Sequence, residues 1–144
     1  MTRVVTGWDG TGRPAILFEG EPPVAFEERR MRVEEIWATD STPPETAGRE
    51  DIAAREWRFE PAPAGSIFRV VSFLPGSATG MHTTETLDYL VVVSGAIVLV
   101  VGEREVVVHA GDVVVQNATP HEWVNRFEEP CVMAGILLST ATRA

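Results

Sequence analysis

From about residue 66 onward, short apolar runs alternate with clusters of turn residues. The runs are IFRVVSF from Ile67, LDYLVVV from Leu87, AIVLVV from Ala96, EVVVH from Glu105, VVVQ from Val113, HEWVN from His121 and CVMAGILL from Cys131. Between them stand PGSATG, SG, GER, AGD, NATP and RFEEP, rich in the Gly, Pro, Asn and Asp that supply the backbone angles of tight turns. Runs this short and this rich in valine predict strands rather than helices. Turns recurring about every seven to ten residues predict an antiparallel sandwich or barrel. Gly102 and Glu103 suit a two-residue hairpin turn with glycine first.

The first half is less regular. Extended pieces are expected at Arg3 to Thr6, Ala15 to Phe18 and Val33 to Thr39, and one helical stretch at Asp51 to Trp57 after a proline turn. At 144 residues the chain has room for one domain with a real core. The reading is a single domain over residues 1–144, in which 1–65 form an amino-terminal extension packing on a barrel core of residues 66–140. Half-exposed strands alternate apolar and polar residues, whereas LVVV, IVLVV and the two VVV runs are apolar on both faces. The extension covers part of the outer face, and a second copy of the chain is expected to cover the rest, giving a homodimer. Each valine so buried contributes about 1.5–3 kcal/mol.

Composition narrows the function classes. A hydrophobic fraction of 44% and a charged fraction of 23% are those of an ordinary globular chain. The net charge of −9 repels phosphate backbones and anionic lipid, so neither a nucleic-acid nor a membrane partner is expected. The basic cluster EERRMR at Glu27 to Arg32 is half neutralised by its own acids and reads as a solvated turn. The longest apolar stretch, Tyr89 to Val101, is interrupted by Ser94 and Gly95 and falls short of a membrane span. MTRVVTGWDG lacks the apolar core of a secretory signal, which makes the cytoplasm the expected location. The single cysteine, Cys131, has apolar neighbours and reads as a small buried hydrophobe.

One polar cluster stands at the mouth of the most apolar strand, in MHTTETLDYLVVVSG from Met81 to Gly95. With Gly76 ahead of it, the spacing of Gly76, His82, Thr84, Asp88 and Gly95 resembles the first motif of the cupin superfamily, in which two histidines and a glutamate occupy the three middle positions. Gly111, Asp112, Pro120, His121 and Asn125 resemble the second motif. The resemblance covers Gly76 to Asn125 and implies an all-β fold, the cupin jelly-roll barrel. It implies further that His82 and His121 converge inside the barrel, with Thr84 where a second histidine is usual and Asp88 in place of the glutamate.

His82, Asp88 and His121 have the composition of a two-histidine, one-carboxylate site, and two alternatives stay open. Either they hold a divalent metal (zinc, iron, manganese or nickel), or they line a metal-free pocket and bond to one another, to Thr84 and to water. Period-two alternation puts Leu90 and Val92 on the face of Asp88, puts Trp123 and Asn125 on the face of His121, and turns Tyr89 away. Gln116 is either a polar anchor reaching the pocket or a solvent-facing turn residue. Thr84, Leu90, Gln116, Trp123 and Asn125 are therefore the expected small-molecule contacts.

The small single-domain cupins that this chain resembles work in bacterial small-molecule and natural-product metabolism, polyketide cyclases among them. The resemblance implies lyase, isomerase or cyclase chemistry on a carbonyl-bearing or aromatic metabolite, with His82, Asp88 and His121 as catalytic groups. The alternatives are an iron-dependent dioxygenase using those three as ligands, and a barrel that binds a ligand without converting it.

Overall fold

A computed structural model describes residues 1–140. The strands in chain order are β1 (Arg3–Trp8), β2 (Pro14–Gly20), β3 (Val24–Glu28), β4 (Met31–Thr39), β5 (Ser66–Phe73), β6 (Thr86–Ser94), β7 (Ala96–Val101), β8 (Arg104–His109), β9 (Val113–Asn117), β10 (Glu122–Val124) and β11 (Cys131–Ser139). Every apolar run read from the second half is a strand, shifted by no more than a residue or so. Among the described residues no helix is long and apolar enough to cross a membrane.

The strands form a six-stranded antiparallel sheet, β3-β4-β5-β11-β6-β9, and a three-stranded one, β10-β7-β8, with β1 and β2 as a separate hairpin. The two larger sheets face each other. Phe73, Val92, Cys131 and Met133 from one and Ile97, Val108 and Trp123 from the other make a common core. Burial pushes the Cys131 thiol up to about 11, which keeps it an unreactive apolar group. Two positions explain tight joints. Gly102 opens the β7–β8 turn with φ 57°. Gly95 turns β6 into β7 at φ 75°, and a Cβ there would collide with the Pro130 carbonyl.

The amino-terminal extension differs from expectation in two places. Val24–Glu28 is a strand, β3, that alternation alone did not mark. The helix expected at Asp51 to Trp57 is one 3-10 turn, Ile52–Ala54. Asp51 does cap it, accepting from Ala53 N at 3.2 Å, but Arg55 is already extended and its guanidinium reaches both Asp40 oxygens, at 2.7 and 2.8 Å. Long-range pairing thus overrides a weak local helix propensity.

The extension joins the barrel in two ways. β3 and β4 lengthen the large sheet beyond β5, and the β1–β2 hairpin packs beside β4 through Phe18 on Trp37, ring centres 6.4 Å apart. Arg3 holds Asp51 with a two-point ion pair of 2.6 and 2.9 Å. The outer face of β6 and β9 stays uncovered. EERRMR is the β3–β4 turn, exposed as read, and its Glu28 and Arg29 border the interior cavity.

Candidate active site

A cavity of about 430 Å³ opens between the two sheets. Its polar end is built by the meeting of the two motif segments. His82 and His121, 39 positions apart in sequence, pair as an isolated antiparallel bridge, each backbone N–H donating to the other's carbonyl at 3.0 and 2.9 Å. This reciprocal lock brings the imidazole centres to 4.3 Å. Each ring is then fixed by its Nδ1, which donates to the Gly80 carbonyl at 2.8 Å in His82 and to the Thr119 carbonyl at 2.8 Å in His121. Those bonds select the Nδ1–H tautomer and leave Nε2 as the lone pair on each ring.

The two histidines are not equivalent. His121 is buried, and its Nε2 accepts from the Gln116 side-chain nitrogen at 2.7 Å. Burial lowers its pKa, only partly offset by the Thr119 bond, and nearby His82 lowers it further, so this imidazole is neutral. His82 is half-buried and its Nε2 makes no hydrogen bond to the described residues.

Asp88 lines the same cavity from β6, opposite Gln116 of β9. It is buried, and its Oδ1 has no hydrogen-bond partner among the described residues. Burial pushes its carboxyl above the usual range, with Thr86, Arg69 and His82 pulling only partway back. Thr84 also lines the cavity, its hydroxyl oxygen accepting from Thr86 Oγ1 at 2.8 Å.

Leu90 and Trp123 line the cavity as alternation expected, and Tyr89 lies on the outer face. Gln116 is buried and works through His121 rather than on the wall itself. Asn125 corrects the expectation of a pocket contact. It is wholly buried outside the cavity, its Nδ2 donating to the Phe73 and Glu129 carbonyls, both at 2.9 Å, and its Oδ1 accepting from Phe127 N at 2.9 Å. All its capacity goes to backbone groups, which ties the turn after β10 to β5.

The fit to a metal is tested by the donor set. Among the described residues no three His, Cys, Asp or Glu side chains come together in a group that could hold a metal ion. His82 and His121 converge, but Asp88 does not complete a ligand group with them, and the Thr84 hydroxyl is bonded to Thr86. Among the described residues the side chains present therefore do not supply the three ligands of a metal site.

Sequence reasoning missed a second layer. Arg69 of β5 faces the cavity and pairs with buried Glu35 of β4, Nε to Oε1 at 2.9 Å. Its other nitrogens donate to the carbonyls of Phe59 at 3.1 Å and Arg58 at 2.9 Å, while its guanidinium lies 5.8 Å from the Trp57 ring centre. This arginine therefore latches the segment before β5 over the cavity, where Phe26, Trp57 and Phe59 form an aromatic wall reaching to His82. The signal available in sequence was Arg69 itself, a charge at an inward position of a strand.

Comparison with known proteins agrees with this architecture. Residues 69–139 match the family described as Cupin domain. The chain is 32% identical over 133 residues to the cupin-domain-containing oxidoreductase fogC of Aspergillus ruber, covering 87% of this chain and 64% of that protein. It is 36% identical over 134 residues to phomopsin biosynthesis cluster protein C' of Diaporthe leptostromiformis, covering 86% of this chain and 70% of that one. The chain thus spans about two thirds of the length of these relatives. Among solved structures, a Cupin 2 conserved barrel domain protein from Salinispora arenicola is similar in fold, with TM-score 0.53 and 19% identity over 78% of this chain and 79% of that one. Motifs, facing sheets and relatives agree: the chain belongs to the cupin superfamily.

Proposed function

We propose that this cupin is a cytoplasmic enzyme of natural-product metabolism that converts a carbonyl-bearing or aromatic small molecule by proton transfer, in lyase, isomerase or cyclase chemistry. The observation that carries this reading is the locked His82–His121 pair beside a buried carboxyl with an unspent oxygen. His82 Nε2 is the available base and removes a proton from carbon next to the carbonyl. Asp88, whose carboxyl burial pushes above the usual range, gives its proton in the protonated form to the carbonyl oxygen, and an enol results. Return of the proton from His82 to another carbon isomerises the substrate. Expulsion of a hydroxyl that takes that proton as water leaves dehydrates it, and attack of the enol carbon on a second carbonyl, whose oxygen takes that proton, closes a ring; in each case the enol O–H returns its proton to Asp88 as the carbonyl reforms. Neutral His121, held by Gln116 and Thr119, keeps a second positive charge away from His82 as it protonates. The relatives from biosynthesis clusters support the metabolic setting.

The alternative, an iron-dependent dioxygenase, is supported by similarity to cupin-domain-containing oxidoreductases such as fogC of Aspergillus ruber. The two readings separate in one experiment with His82→Ala, His121→Ala and the double variant, comparing metal content of untagged protein with deuterium exchange next to the carbonyl of 2-tetralone, a ring-fused ketone used as probe. Proton transfer is supported by exchange that is lost alike in all three without change in metal content. Metal bound by the wild type and lost in every variant supports oxidation instead.

The same reading includes a second copy of the chain as partner. Phe68, Ile136, Tyr89 and Val115 form one continuous row across β5, β11, β6 and β9 on the outer face, and Val91 pairs with Val113 beside it. All six are exposed, Val113 at 73%, and β9 is a sheet edge. This uncharged, edge-bounded face suits pairing about a two-fold axis. Sedimentation at micromolar concentration is expected to give a dimer, and a single species of 15.7 kDa would contradict it.

A further inference from the structure

The cavity has an aromatic wall that the proton-transfer chemistry does not use, and an acceptor that none of the described residues satisfies. Phe59 stands between Trp57 and His82, 6.1 Å from each ring centre, and both neighbours meet it at steep angles of 73° and 64°. Its ring face is therefore not stacked, and the residue is 51% exposed while lining the cavity. The backbone beneath it is held by Arg69, which donates to the carbonyls of Arg58 and Phe59, and the side chain of the next residue, Glu60, accepts from Glu85 N at 3.2 Å. A large apolar ring held in place yet left open is a wall awaiting a flat partner. Deeper in the same cavity, Asp88 Oδ1 is buried without a donor. A buried acceptor in that condition is satisfied most simply by an O–H of the ligand.

We propose that the cavity selects a flat ring bearing a hydroxyl, a phenol or ring enol, whose ring seats against Phe59 and whose hydroxyl donates to Asp88 Oδ1. Phe59 is then a specificity-determining residue and Arg69 the residue that positions it. This rests on the pocket reading above, since the enol of that chemistry is such a hydroxyl. Residue 59 lies outside the 69–139 span shared with the domain family, so the selection belongs to the amino-terminal extension.

The test compares binding of 2-naphthol with that of its saturated counterpart, 2-decalol, by calorimetry on the intact chain. Wild type is expected to prefer the flat alcohol. Phe59→Ala should lower that preference roughly two- to tenfold, the range for one lost aromatic contact, and Phe59→Trp should retain it. Because Phe59 is half exposed, its melting temperature should hold. Asp88→Leu should weaken both alcohols and leave their ratio in place. His82→Ala, which tests the proton-transfer reading, should keep the preference even where conversion is lost. A wild-type ratio near one, a ratio unchanged in Phe59→Ala, or full affinity in Asp88→Leu would each overturn the proposal.

Discussion

The two faces of β6 reverse the usual order of a protein surface. Inward it carries Thr86, Asp88, Leu90 and Val92, with a carboxyl in the interior; outward it carries Tyr89, Val91 and Val93, apolar and open to solvent. A carboxyl turned inward is costly, because burial penalises its charge, and apolar side chains turned outward forgo the stabilisation that burial gives. A strand that accepts both terms points to a use on each side: a ligand for the polar interior and a second chain for the apolar exterior. The inner face is rigid because it is paired and latched. The outer face is regular but unpartnered.

The largest expected effect lies on the inner side. Removing Arg69 strands Glu35 in the interior, so Arg69→Met should cost about 3–5 kcal/mol in urea unfolding, and Glu35→Leu with Arg69→Met should recover most of it. Arg126 and Glu105 form a shorter pair, 2.6 Å, on the exposed surface, and Arg126→Ala should leave the unfolding curve in place. Equal losses at the two sites would erase the distinction between inside and outside.

On the outer face, Val115→Asp should weaken self-association by about thirtyfold or more, as for loss of an interface hot spot, while leaving ligand binding intact. Sedimentation over a concentration series measures it. An unchanged association state would show that the outer valines do not carry the interface.

The smallest effect is a change of slope with pH. Asp88 has a raised pKa from burial, so its contribution is fully present below the ordinary aspartate range and is lost as pH rises through its folded value. Asp88→Asn should therefore gain stability over wild type as pH rises, and not at acid pH. Asp51 is lowered by its bond to Arg3, so its contribution is present above the ordinary range and lost as pH falls. Asp51→Asn should be less stable than wild type near neutrality and converge with it in acid. Melting temperatures from about pH 3 to about pH 7 compare the two directly, and parallel slopes would contradict the assignment.

Much of the barrel was legible because its strands are short, valine-rich and punctuated by turn residues, so local chemistry and tertiary structure agree from Ser66 to Ser139. His82 and His121 were legible through motif spacing, and Trp123 through alternation from His121. Asn125 shares that alternation, but its amide is claimed by the turn that follows, a demand visible only once Phe73 and Glu129 are brought beside it. The helix expected over Asp51 to Trp57 shrinks to one 3-10 turn because the path of this segment and of the residues after it is set by partners far away in sequence: Asp40 for Arg55, Phe26 for Trp57, and Arg69 for the carbonyls of Arg58 and Phe59. The aromatic wall was hidden for the same reason. Its members come from β3 and from that segment, and only the folded sheet joins them.

The most direct measurement is hydrogen exchange at carbon. Wild-type protein, dialysed against chelator, is incubated with 2-tetralone in deuterated buffer, and deuterium next to the carbonyl is followed by mass spectrometry. Proton transfer through the histidine pair predicts catalysed incorporation that falls at least tenfold in His82→Ala, and little further in the His82→Ala, His121→Ala double variant, because coupled groups fail together. Incorporation in the double variant at the wild-type rate would contradict it.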